Sequence, residues 1–215
     1  MGRPLPAGKT CRMARVDFDP KQLGKDVYAL LNSIVVPRPI AWVSTRSRGG
    51  IDNLAPHSYF TVSSVQPPVV QFTSIGVKDS LRNVRETGEF VINVSTEQLV
   101  ESVNRTATRF PSEVDEFLAV GLTVEPSEMV APPRVAESPI AIECCLVDER
   151  SFGDSTVVFG EVLHIAVDPA VLRDGTVAPE LLAPVARLGG SLWSSLGEIF
   201  DLHRVAVEEY RPVRA

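Results

Sequence analysis

The sequence predicts a mainly β protein with inserted helices, arranged as a closed or partly closed antiparallel barrel. Three observations lead there. At least six β-rich segments can be marked along the 215 residues. Short turns, RSRGG at 46–50 and SFGD at 151–154, join neighbouring segments as hairpins. The helical segments fall between strands without the regular alternation that builds a parallel doubly wound sheet, so an antiparallel barrel fits better.

The elements follow in order. Residues 1–16 lack the apolar core of a secretory signal and read as a flexible lead-in to a single domain over 17–215, with Met13 as an alternative start. Val27, Leu30, Leu31 and Ile34 stand at helical spacing, which predicts an opening helix over 24–33. Pro37 and Pro39 then forbid helix, and the β-rich run from Ile40 to Thr45 returns after the turn, so 40–55 reads as a hairpin.

Residues 53–64, NLAPHSYFTVSS, do not read as an ordinary strand. Asn and Ser are poor strand formers, Pro56 removes a backbone donor, and small polar groups (Asn53, His57, Ser58, Thr61, Ser63, Ser64) sit among residues that ought to be buried. PPVVQFTSI is a strand with its prolines at the entrance. KDSLRNVRETG is a short helix with Asp79 as N-cap and Gly88 as the left-handed residue after its end. EFVINVS is a strand. Ser95 and Gln98 resemble a capping box opening a helix to about Arg109, carried by Leu99, Val100, Val103 and Ala107. After a linker holding Pro126, Pro132 and Pro133 come two long strands, PIAIECCLVDER and STVVFGEVLHIAV. The remainder reads as a helix, a Gly-Gly break and an aromatic segment.

The totals narrow the function. With 21 basic and 27 acidic residues the net charge is −6, against the basic excess of a general nucleic-acid binder. No run of about 18 apolar residues exists to make a transmembrane helix. The three cysteines (Cys11, Cys144, Cys145) have no CxxC spacing and read as reduced thiols of a cytoplasmic protein, with the adjacent pair on opposite faces of a strand. P-loop, Rossmann and GxSxG signatures are absent, and the three histidines show no metal-ligand pairing.

What remains is a candidate anion seat and two flanking segments. A helix N-terminus presents free N–H groups and about half a positive charge. Lys78 adds a full charge there, Ser80 adds a hydroxyl, and Asn83 lies one turn along on the same face. Arg38, Trp42, Ser44 and Thr45 combine charge, an aromatic wall and hydroxyls. Asn53 and Ser58 could address the polar edge of a planar ring, under apolar cover from Leu54, Ala55 and Phe60. Each also has an ordinary structural reading: Trp42 as core, His57 as a hydrogen-bonded histidine, Arg38 as a solvated charge, the helix as merely capped.

The order and spacing of these blocks, NSIVVPRPIAWVST, NLAPHSYFTVSSVQPPVVQFTS and KDSLRNVRETGEFVINV, followed by VDEFLAVGL, SPIAIECCL and VARLGGSLW, resemble the flavin reductase-like, FMN-binding split-barrel family over roughly residues 24–210. The resemblance implies a homodimer with FMN near the subunit interface. It would put Arg38, Ile40, Ala41, Trp42, Ser44 and Thr45, with Asn53, Leu54, Ala55, His57 and Ser58, around the flavin. Lys78, Ser80 and Asn83 would hold its phosphate, and Arg187 and Trp193 would lie near the ring. It also implies hydride transfer from NADH or NADPH to flavin, with no catalytic base or metal, and a possible partner oxygenase fed with reduced flavin. An FMN-binding electron carrier that nicotinamide does not reduce, and a cofactor-free ligand-binding barrel or scaffold, stay open beside it.

Overall fold

A computed structural model describes residues 15–209. Its frame is a seven-stranded antiparallel sheet: β1 (Ala41–Arg46), β2 (Asp52–His57), β3 (Phe60–Val65), β4 (Pro68–Ile75), β5 (Glu89–Val94), β6 (Ile140–Phe152) and β7 (Ser155–Val167). The order across the sheet is β2-β1-β5-β6-β7-β4-β3. Its two edge strands, β2 and β3, are consecutive in the chain and separated only by Ser58 and Tyr59. A two-residue link cannot span an open seven-stranded sheet, so the sheet must curl until its edges meet. The Thr73 amide of β4 donates to the Tyr59 carbonyl at 2.9 Å, and His57 Nδ1 bonds the Thr73 carbonyl at 3.2 Å, fastening the seam.

This resolves the odd stretch NLAPHSYFTVSS. It is two strands and a corner, which period-two reasoning cannot see as one run. Pro56 is tolerated because β2 is an edge strand paired only with β1. On β3, Thr61, Val62 and Ser63 face solvent, where small polar residues cost little.

Both faces of β1 are buried. Ala41 and Val43 point into a core with Phe72, Leu81, Val84, Phe90, Ile92, Cys144 and Val158. Ile40, Trp42 and Leu54 join a second cluster with Leu99, Val103 and Phe117. The Phe72 and Phe90 rings meet edge-on at 5.3 Å. Gly160 of β7 is required there, since a Cβ would come within 2.2 Å of the Phe90 ring.

Four helices complete the frame: α1 (Asp26–Ile34), α2 (Asp79–Thr87), α3 (Val100–Arg105) and α4 (Glu116–Val120). Several expectations shift. Asp79 is the first helical residue, not the N-cap; Lys78 holds the cap position without a side-chain bond, and Asp79 pairs with Arg82 one turn on. Gly88 does close α2, at φ 76°, its N–H bonded to the Val84 carbonyl. Ser95 does not cap this helix: a 3₁₀ turn opens at Glu97 with Thr96 before it, and the Ser95 hydroxyl has no partner among the described residues.

The helix also stops at Arg105, short of Arg109. The Thr106 hydroxyl donates to the Val103 carbonyl and accepts from the Trp42 indole, competing with the helical ladder. The expected C-terminal helix is a single turn, Pro179–Leu182. The opening helix starts at Asp26, after a separate turn at Pro20–Leu23. Cys144 is buried and Cys145 half-buried on adjacent positions of β6. Cys11, Met13 and most of the expected lead-in lie outside the described residues.

Candidate functional site

Beside the barrel seam, the start of α2 faces the outer end of β2 across a cavity of about 390 Å³. Asn53, Ala55 and His57 come from β2; Lys78, Asp79 and Ser80 from the start of α2; Thr106, Thr108, Arg109 and Phe110 from the loop after α3; Glu116 from α4. Leu81 and Val84 anchor α2 in the core, so its N-terminus is fixed rather than free to swing.

Beneath Ser80 lies a small polar shelf. The Asn53 amide donates to Ser80 Oγ at 3.1 Å and to Thr45 Oγ1 at 3.3 Å, and the Asn83 amide donates to the same Thr45 oxygen at 3.1 Å. Because Ser80 accepts from Asn53, its own proton is available to a ligand. Asn83 Oδ1 is buried without a partner among the described residues.

His57 supplies a second unmet demand. It is only 5% exposed. Its Nδ1 faces a carbonyl, which can only accept, so Nδ1 carries the proton and Nε2 keeps a lone pair with no partner among the described residues. Burial, aided by the Lys78 charge, pushes its pKa down to about 4, so the ring is neutral and Nε2 stays an acceptor at ordinary pH. Lys78 and Arg109 are exposed at the mouth. The wall therefore offers cations and a helix N-terminus in one part, and a buried acceptor in another.

A second cavity of about 390 Å³ lies beyond the seam, lined by Leu31, Val35, Arg38, Ser58, Tyr59 and Phe60 among others. Of the expected residues, Asn53, Ala55, His57, Lys78 and Ser80 line the first cavity, and Arg38 and Ser58 the second. Thr45 and Asn83 lie in the shelf. The side chains of Ile40, Ala41, Trp42 and Leu54 are core and line neither cavity, so only their backbone could meet a ligand. Ser44 is likewise withdrawn: its hydroxyl donates to the Pro133 carbonyl.

Arg38 is neither solvated nor free. Its guanidinium donates to the carbonyls of Asn32, Val35 and Leu188, which bind the end of α1 to the loop after Arg187. Trp193, half-buried, carries the Arg187 guanidinium over its ring at 4.6 Å. A short three-stranded sheet pairs Arg38 with Arg187 and Arg187 with Trp193, holding that segment beside Arg38 of the same chain.

Sequence reasoning missed the loop after α3 and Glu116. The signal for the first was in NRTATRF: two threonines and two arginines where a helix was expected to continue.

Comparison with known proteins settles the family. The profile described as "Flavin reductase like domain" matches residues 33–182. The chain belongs to this family. A protein of Halalkalibacterium halodurans is 38% identical to this flavin reductase-like chain over 199 residues, covering 87% of it and 95% of the relative. The crystal structure of nitrilotriacetate monooxygenase component B from Bacillus cereus superposes with a TM-score of 0.83 at 34% identity, covering 88% of this chain and 99% of that one. A protein from Shewanella frigidimarina described as having a split barrel domain gives 0.80 at 23% identity, covering 89% and 100%, and shares the fold. The curled seven-stranded sheet is thus a split barrel, and the family is one of flavin-related oxidoreductases. The orphaned His57 acceptor and the cation-flanked helix N-terminus fit a flavin carrying a phosphate tail.

Proposed function

We propose that the protein binds FMN in the seam-side cavity and is an NADH- or NADPH-dependent flavin oxidoreductase that passes reduced flavin or its electrons to a partner oxygenase. The observation that carries the reading is the cavity's division: Lys78, Ser80 and Arg109 around a helix N-terminus suit a phosphate, while neutral His57 suits a ligand N–H or O–H. Bound FMN would supply the ring that takes up and gives off electrons. The chain's own part is to hold and orient. Ser80 and the first turn of α2 donate to the anionic end, the Asn53–Thr45–Asn83 shelf keeps Ser80 in place, and His57 accepts. No side chain is assigned as a general base, because the transferred hydride needs none.

An oxygenase as recipient is favoured by the structural relative, which is itself a monooxygenase component. A homodimer is favoured by apolar side chains left exposed among the described residues: Leu31, Ile34 and Val35 on α1 and beyond, and Val62 and Val65 on the edge strand β3. No helix among the described residues is long and apolar enough to cross a membrane, and the free thiols of Cys144 and Cys145 suit the cytoplasm.

The test is the absorption spectrum of the purified protein with FMN under anaerobic conditions, before and after NADH and then NADPH. A shifted flavin band that bleaches on adding one nucleotide is expected, and names the donor. A shifted band that persists makes the protein an electron carrier served by another donor; a band identical to free FMN overturns the cofactor. Sedimentation of the same sample should give a dimer, and a monomer that still binds FMN would remove the interface from the reading.

A further inference from the structure

Glu116 is out of place in a cavity built for an anion. It is 5% exposed, and among the described residues it has no ion pair. Its Oε2 accepts the Leu54 amide at 3.1 Å, while Oε1 takes no hydrogen bond from another described residue. The charges that act on it are acidic: Asp79 on α2 and Asp115, the N-cap of its own helix. Asp115 is committed to the Phe117 and Leu118 amides, and Asp79 to Arg82. The other titratable groups of the cavity wall are neutral His57 on β2, and Lys78 and Arg109, both at the exposed mouth. The nearest cation on β1, Arg46, is taken by Asp52. Burial first, and then the two aspartates, push the Glu116 carboxyl up to about 7.

An ionised Glu116 would repel a phosphate. A protonated one lining this cavity carries an O–H to donate, and a phosphate oxygen is an acceptor for it. We infer that Glu116 contacts the anionic end of the ligand as a neutral acid, so that this site takes up phosphate-bearing flavin together with a proton and releases it as that proton leaves. The inference rests on the proposal that the cavity holds FMN. It makes Glu116 a binding residue that discriminates protonation state, not a catalytic one.

The sign is diagnostic. A phosphate monoester becomes dianionic above about pH 6, so Lys78, Arg109 and the helix N-terminus alone would bind it more tightly as pH rises. Glu116 imposes the opposite trend. Dissociation constants for FMN and riboflavin, by flavin fluorescence at pH 6.5 and 8.5, test it in wild type and Glu116→Gln, which keeps the shape and donor of the neutral acid. For wild type, FMN binding should weaken by about 25-fold over that interval, as linkage to one group titrating near 7 requires. Glu116→Gln should lose that weakening, and riboflavin should show no such trend in either protein.

Equal weakening in the variant overturns the inference, as does a riboflavin trend equal to that of FMN, which would separate Glu116 from the phosphate. Calorimetry of wild type in two buffers of different ionisation enthalpy needs no variant: net proton uptake on binding FMN at pH 7.5 supports the inference, and release overturns it. Failure of FMN to bind at either pH overturns the cofactor reading itself, a different result from any of these.

Discussion

Two buried glutamates in this molecule meet opposite fates. Glu143, on β6, is fully buried, yet both carboxyl oxygens are answered: Arg134 bonds Oε1, as does the Glu128 amide at 3.0 Å, and the Met129 amide reaches Oε2 at 2.6 Å. Burial would raise its pKa, but these amide bonds and the guanidinium outweigh burial and hold the carboxyl below the usual range. Glu116 is buried to a similar degree with the Leu54 amide and its own for partners, no cation among the described residues and two acidic neighbours, and its pKa moves the other way. The same side chain is a fastening in one place and an unmet demand in the other. Burial alone does not mark a site; hydrogen-bonding capacity left over at a cavity wall is a better sign, and His57 Nε2, on the same cavity as Glu116, has it.

The largest expected effect tests the fastening. Arg134→Met should cost about 3–5 kcal/mol of folding stability, because it strands a buried carboxylate. Replacing Glu143 by Leu in the same chain should return much of that loss, since a well-packed apolar pair of similar volume can match a buried ion pair. Urea denaturation of the wild type and the single and double variants measures both. A single-variant loss under about 1 kcal/mol would mean that Glu143 is not closed off as described, and the contrast with Glu116 would fail.

Much of this was legible in the sequence, and what was not has physical reasons. Proline placement and hairpin turns were enough for the class and rough bounds of six of the seven strands, all but the edge strand Phe60–Val65, because a β-rich run and a tight turn are local facts. The seam was not local: that β2 and β3 are opposite edges of one sheet depends on every strand between them, so residues 53–64 read as an anomaly instead of a corner. The same limit applied to side chains. Ser44 and Trp42 were plausible ligand contacts by type, but Pro133 and Thr106, both distant in sequence, take their donors. Lys78 and Ser80 could be placed at a helix start because its chemistry shows within a few residues. Glu116 was not legible, because its meaning comes from Asp79 and Leu54 on other elements.

A smaller effect sharpens the contrast from the cationic side of the cavity. Lys78 is exposed and makes no ion pair among the described residues, so removing it strands nothing and should leave the denaturation midpoint within error. If its charge serves the anionic end of a ligand, Lys78→Ala should weaken FMN binding about tenfold, some 1.4 kcal/mol, while leaving riboflavin, which lacks the phosphate, unchanged. Titrations of both flavins against both proteins decide it. Equal weakening of the two would move Lys78 away from the phosphate and leave the N-terminus of α2 as an ordinary helix start. Selective loss of FMN would mean that the open polar groups of this cavity serve a ligand where those around Glu143 serve the fold.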